Sequence, residues 1–149
     1  PSVVERPVVP AAAPSPSPKP RADLLRAASG GDGDSWKDTS GREYRLGMVN
    51  APEVDECWGR EATDARRSLV AGGFRADVYT RDRYGRGVSV VPAADGTNVN
   101  VALARRGHVD DRYLDEFRHE NRSLAVDLDA AFAAAKRERA GLWGVCTGG

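Results

Sequence analysis

Arg45 lies inside Tyr44-Arg45-Leu46-Gly47-Met48-Val49, a run apolar enough for a strand. A guanidinium between apolar neighbours is costly to leave unpaired, so Arg45 needs an anionic partner. That partner is either a structural carboxylate or the phosphate of a ligand. Gly47, two residues on and on the same face, leaves room for something to approach. A second basic group sits in Arg81-Asp82-Arg83-Tyr84-Gly85-Arg86, where Arg81, Arg83 and Arg86 crowd one tight connection. They repel one another unless an anion relieves them or they form a solvated hairpin tip. A third feature is Asp32-Gly33-Asp34-Ser35. Carboxylates in a Gly-rich turn can hold a hard cation through oxygen ligands, although the ligand spacing and closing Glu of an EF-hand are missing.

These side chains need elements to hold them. Tyr44 to Val49 reads as a strand entered from a turn at Gly41 and ended by Ala51-Pro52. Glu61 to Val70 carries Ala62, Ala65 and Leu69 at helical spacing and stops at Gly72-Gly73. Phe74, Ala76 and Val78 alternate with polar residues as in a strand, and Gly87 to Val91 reads as its antiparallel partner. Asn98 caps a short helix carrying Val99, Ala102 and Leu103, closed by Gly107. Leu124, Leu128, Ala131, Phe132 and Ala135 make the apolar stripe of a longer last helix, which Gly141 ends. The order predicts an α+β fold: a small antiparallel barrel with helices packed around it. Residues 1–20, rich in Pro, Ala and Ser, read as an extended tether, and residues 21–149 as one domain. The chain opens on Pro1 rather than Met, as expected of a sequence trimmed at its N-terminus.

Of the 149 residues, 22 are Lys or Arg and 22 are Asp or Glu. Net charge is zero, so no global basic field argues for nucleic-acid binding, and any such binding must come from local clusters. The basic residues are mostly Arg, which suits bidentate phosphate contacts, although enrichment in Ala, Arg and Gly together is also what a GC-rich genome produces. No apolar run is long enough to span a membrane. His108 and His119 have no ligand spacing and read as surface histidines. Two cysteines without a matching His pair do not make a zinc site. Cys57 and Cys146 could be unrelated thiols or one disulfide. Neither lies where a core residue is expected, so a bridge is the expectation, and with it an oxidising compartment.

Taken together, the motifs resemble the staphylococcal-nuclease-like, or thermonuclease, family from about Asp32 to Cys146. The resemblance rests on Asp-Gly-Asp-Ser, Tyr44-Arg45-Leu46, Ala51-Pro52-Glu53 and Gly59-Arg60-Glu61-Ala62. It continues through Asp82-Arg83-Tyr84-Gly85-Arg86, Asp95-Gly96-Thr97-Asn98-Val99-Asn100, Ala102-Leu103 and Gly141-Leu142-Trp143. It implies a five-stranded OB-fold barrel with about three helices, a bound calcium ion and hydrolysis of DNA and RNA. It implies Glu53 as the general base, with Arg45 and Arg86 gripping the phosphate. Asp34, Asn50 and the Ala51 carbonyl would be the calcium ligands, with Asp32 and Asp38 as substitutes for Asp34. Arg83, Tyr84 and Tyr113 would contact the nucleotide. A secreted or envelope-tethered monomer is expected.

The sequence departs from the family in three places. Asn50 stands where a second acidic ligand is usual, which lowers the charge offered to calcium and hence the expected affinity. Ala51 replaces a Thr. Leu24 to Ala28 matches poorly to the valine-rich first strand. These departures support a rival reading, a catalytically weak or inactive OB-fold module that binds nucleic acid or protein.

Overall fold

The computed structural model describes residues 23–146. The expected tether at 1–20 lies outside them. The strands are β1 (Ser35–Lys37), β2 (Glu43–Leu46), β3 (Asp77–Arg81) and β4 (Gly87–Val90). The helices are α1 (Gly59–Val70), α2 (Val99–Arg105), α3 (Leu114–Phe117), α4 (Arg122–Glu138) and α5 (Leu142–Val145), with a single 3-10 turn at Arg118–Glu120. The strands form one sheet in the order β1-β2-β4-β3. β1 and β2 are antiparallel, as are β3 and β4, while β2 and β4 run parallel.

The α+β class is as expected, but two details differ. The helices hold more residues than the strands, so the chain is not mainly β. The sheet has four strands and is not closed into a five-stranded barrel. The segment expected to supply the first strand makes only single bridges, Leu25 to Phe74 and Ala27 to Asp38. Leu24 to Ala28 has no β-branched residue, so it lacks the side chains that pack best on a pleated surface.

Phe74 also bridges Ala93, and the edges of Trp36 and Tyr44 meet its ring at 5.4 and 5.5 Å. The alternation read from Phe74 to Val78 is therefore not one strand. Phe74 is wholly buried ahead of β3, whereas Val78 is 42% exposed within it. A bulge between Val78 and Thr80 then leaves Tyr79 without a paired residue on β4.

The helices pack on this sheet through the expected faces, with one exception. Asn98 caps α2 by accepting from the Val101 N–H, and Asn121 caps α4 in the same way from Leu124. The stripe from Leu124 to Ala135 is buried. α4 ends at Glu138 with Arg139 in the left-handed region, before Gly141 is reached. The exception is α1, whose buried face runs Ala62, Arg66, Val70 and so includes a charged residue. His108 is half-buried rather than a surface residue, and its Nδ1 accepts from the Trp58 indole at 3.0 Å.

Two constraints fix the ends of this core. Asp38, 3% exposed, accepts from Ser40 N–H and hydroxyl, from Arg42 N–H and from the Tyr44 hydroxyl. It is the organiser of the β1–β2 turn, which leaves it poorly placed as a metal ligand. Cys57 and Cys146 are joined across 89 residues, tying the loop before α1 to the end of α5. Burial pushes the Asp38 carboxyl up, but its hydrogen bonds outweigh that and hold it below the usual 3.8. A carboxylate depressed in the folded state stabilises above the unfolded value and loses that contribution as pH falls through the folded one. Asp38→Asn should therefore lower stability by about 2 kcal/mol near pH 7, and the gap should narrow below about pH 4. Urea unfolding at both pH values checks this, and a gap of constant size would reject it. Replacing both cysteines by serine should cost about 2–5 kcal/mol, an effect that reductant should reproduce in the unmutated protein. Equal urea midpoints for the double variant and the oxidised protein would contradict that.

Candidate active site

Arg45 occupies β2, where its side chain is 15% exposed. Its Nη1 donates to the Leu46 carbonyl at 2.6 Å, and its Nη2 lies 3.5 Å from Asp34 Oδ2. The anion that its surroundings demand is thus present as a carboxylate. Asp34 Oδ2 also accepts from the Ala51 N–H at 2.8 Å. Asp32 supports this corner from one side, its Oδ1 accepting from the N–H of Asp34 and of Ser35 and from the Ser35 hydroxyl. Burial pushes the Asp34 carboxyl up to about 7; Arg45 opposes the shift, and the neighbouring Asp32 adds to it.

On its other side Arg45 faces a groove of about 570 Å³, shared with Tyr79, Arg83, Tyr84, Arg86 and Tyr113. The β3–β4 connection delivers three of these. Asp82 builds that connection by accepting from the N–H of Tyr84 and of Arg86, while its second oxygen takes the Arg86 Nε at 2.7 Å. Arg83 and Arg86 both lie over the Tyr84 ring, at 5.0 and 5.3 Å. The three-arginine crowding is thus relieved in part by one carboxylate and one aromatic face. Tyr84 remains 68% exposed, a flat face open to solvent. Tyr113 comes from the turn before α3 and meets Phe117 edge-on at 6.2 Å. Glu116 and Glu120 make the acidic margin of the groove.

The room beside Gly47 is taken by the protein itself, since any Cβ there would run into the Tyr79 hydroxyl. The bulge in β3 aims Tyr79 at this gap, and burial, then Glu120, push its phenol up to about 12. Tyr79 therefore stays neutral between Arg45 and Glu120. Sequence reasoning missed Tyr79 and Asp82. Asp82 carried a legible signal, an Asp three residues ahead of Gly85 in a turn. Tyr79 carried none, because a bulge has no signature in a single strand.

Glu53, Asp34, Asn50 and Ala51 do not line the groove. Glu53 is exposed on the loop from Ala51 to Trp58. Its N–H donates to Glu56 Oε1 at 2.7 Å, and its carbonyl lies where a Cβ on Gly59 would be. The loop backbone is thus clamped while the Glu53 carboxylate makes no hydrogen bond among the described residues. Ala51 connects the two parts, bonded to Asp34 and two residues from Glu53. The Asn50 amide donates to Asp110 Oδ2 at 3.0 Å, and the two backbones bridge in both directions.

Among the described residues no three acidic, His or Cys side chains cluster as a metal would require. The available donors are nevertheless oxygens of the kind a hard cation takes. Asp34 is a buried carboxyl beside a second carboxylate, and its anionic form is under-compensated by Arg45 alone. A cation there would do what the proton otherwise does. Asp34 and Asp32 fit such an ion, and the Ala51 backbone reaches Asp34 through its N–H. Asn50 spends its Nδ2 on Asp110, which leaves its Oδ1, the atom an ion would take, without a hydrogen bond among the described residues.

Comparison with known proteins bears on this arrangement. The sequence model of the family described as staphylococcal nuclease homologue matches residues 43–145, well over half of the chain. An uncharacterized endonuclease of Escherichia coli O157:H7 is 34% identical over 116 residues, covering 75% of this chain and 71% of that protein. Endonuclease YhcR of Bacillus subtilis (strain 168) is 28% identical over 104 residues, 67% of this chain but 8% of that much longer protein. Succinoglycan biosynthesis protein ExoI of Rhizobium meliloti (strain 1021) is 31% identical over 132 residues, 80% of this chain and 64% of the other. The matched span begins at β2 and ends in α5, so it contains Arg45, the whole groove and the Glu53 loop. The chain belongs to the staphylococcal nuclease family of phosphodiester-cleaving hydrolases.

Proposed function

We propose that this chain is a calcium-dependent endonuclease for DNA and RNA, with Glu53 as general base and Arg45 and Arg86 stabilising the phosphate. The observation that carries the reading is the convergence of Arg45 and Arg86 on one groove that also presents the open face of Tyr84. A phosphodiester is anionic and repels an incoming hydroxide. Two guanidiniums held by Asp34 and Asp82 are pre-oriented to bind it and to meet the charge that builds as water adds. Glu53, with its carboxylate free, takes a proton from the attacking water. The bond from phosphorus to the 5′-oxygen breaks in line, leaving a 3′-phosphate. A calcium ion held by Asp34, Asn50 and the Ala51 carbonyl, with Asp32 as the substitute for Asp34, would supply positive charge against the same phosphate. Arg83, Tyr84 and Tyr113 hold the strand by backbone and stacking contacts, which tolerate any sequence. An OB-type fold and a monomeric state belong to the same reading. Secretion or tethering to the envelope does too, supported by the disulfide.

A second reading, a nucleic-acid-binding module without catalysis, draws on Glu53 standing outside the groove and Asn50 being held by Asp110. Digestion of single-stranded DNA in calcium, and again in EDTA, separates the two. Cutting should require calcium and fall by about 10²–10⁴-fold in Glu53→Gln. Undiminished cutting by that variant would reject Glu53 as the base, and binding without cutting by the unmutated protein would favour the module. Asn50→Asp restores a carboxylate at the ion and should lower the calcium concentration needed for half-maximal rate. An unchanged requirement would remove Asn50 from the site. Sedimentation of the purified protein and fractionation of the producing cells check the oligomeric state and the location.

A further inference from the structure

The molecule carries a second basic groove that the catalytic reading does not use. It has a volume of about 420 Å³ and lies between the segment Arg26 to Gly30 and the last two turns of α1. Arg26, Arg66 and Arg67 line it, with Ser29, Val70 and Ala71.

Arg66 forms the floor. It is 1% exposed. Its Nε donates to the Asp32 carbonyl and its Nη2 to the Gly30 carbonyl, both at 2.9 Å, and its guanidinium lies 5.0 Å from the Trp36 ring centre. All of these partners are neutral. Among the described residues, none of Arg26, Arg66 and Arg67 forms an ion pair, and of the three only Arg66 is buried. A fully buried cation without a carboxylate is rare because burial of charge demands a counter-charge. The exposed Arg26 and Arg67 add two more positive charges at the mouth.

A structural clamp alone would explain the two carbonyl bonds. It would not explain why two further unpaired arginines share the same concavity. Guanidinium forks around a groove match the geometry of a phosphate. We propose that this groove is an exosite for a backbone phosphate of a nucleic-acid strand, separate from the groove that holds Arg45 and Arg86. This rests on the nuclease reading for the identity of the ligand. The exosite would hold a long strand while a different part of it is cut, so it acts on affinity and leaves the chemistry alone.

The test uses Arg26→Ala/Arg67→Ala, two exposed positions whose loss should not disturb folding, and Arg67→Glu as a charge reversal. Binding of a fluorescent single strand of about 30 nucleotides is followed by anisotropy in EDTA against salt concentration, with strand integrity checked on a gel. Affinity should fall about tenfold in the double variant and further in Arg67→Glu. The slope of log K against log salt should drop by about 1.4, as expected for two lost phosphate contacts on a single strand. Turnover of a dinucleotide, too short to reach both grooves, should be unchanged. An unchanged long-strand affinity and slope would overturn the exosite. Amide NMR separates the possible sources of phosphate: Ser29 and Gly30 should shift when the strand is added. Shifts with inorganic phosphate but none with the strand would also overturn the proposal, leaving a small-phosphate site. Failure of the nuclease reading shows separately, as loss of dinucleotide turnover in the unmutated protein.

Discussion

Asn100 is wholly buried at the start of α2, and its amide is spent on three backbone groups of the sheet. Its Oδ1 accepts from the Val91 N–H, and its Nδ2 donates to the carbonyls of Ser89 and Gly47. β2 and β4 are parallel neighbours, and both are ending at these positions. The Ser89 carbonyl also takes the Gly47 N–H, but the Val91 N–H and the Gly47 carbonyl depend on Asn100, and leaving either unpaired in the core would cost about 1–3 kcal/mol. One side chain therefore closes the sheet at its weakest place and pins a helix to it. The geometry of the groove depends on this contact, because Arg45 is two residues from Gly47 and Tyr79 packs where Gly47 has no side chain. A looser end to β2 would let the guanidinium turn away from the groove.

The electrostatics follow a similar economy. A chain of zero net charge has no long-range attraction for a polyanion, so every useful positive charge must be local. The carboxylates that neutralise the chain overall are also the ones that aim its arginines. Asp34 orients Arg45, and Asp82 orients Arg86 while shaping the turn that carries it. Each pairing takes up only part of a guanidinium, and both arginines line the groove. Asp34 is then shared between Arg45, the Ala51 backbone and the place a cation would occupy. The loop bearing Glu53 is thereby coupled to the strand bearing Arg45 through one carboxylate.

How much of this was legible depended on how local each signal was. The helix cap at Asn98, the buried stripe of α4 and the β3–β4 hairpin rest on short-range chemistry and were readable; the cap at Asn121 is equally local but was not singled out. The first barrel strand was not, because its pairing with Phe74 and Asp38 is made by isolated long-range bridges and not by β-forming residues. Arg45 could be singled out from its apolar neighbours, yet its partner Asp34 could not be chosen over other acids without the fold. Buried Arg66 was invisible, since a helical pattern reads a charged residue as solvent-facing. The bulge at Tyr79 and the Asn50–Asp110 contact, across 60 residues, left no local trace either.

The bridge between Cys57 and Cys146 has a consequence for how the molecule withstands damage. The parts of the groove on β3, β4 and α3 lie inside the covalent ring it closes, as do α1, α2 and α4, while Arg45 on β2 lies outside it. A protease cutting once anywhere within that ring produces two chain ends but no separate fragment. The broken pieces stay in register and can remain folded around the same core. A nicked molecule is thus still one molecule.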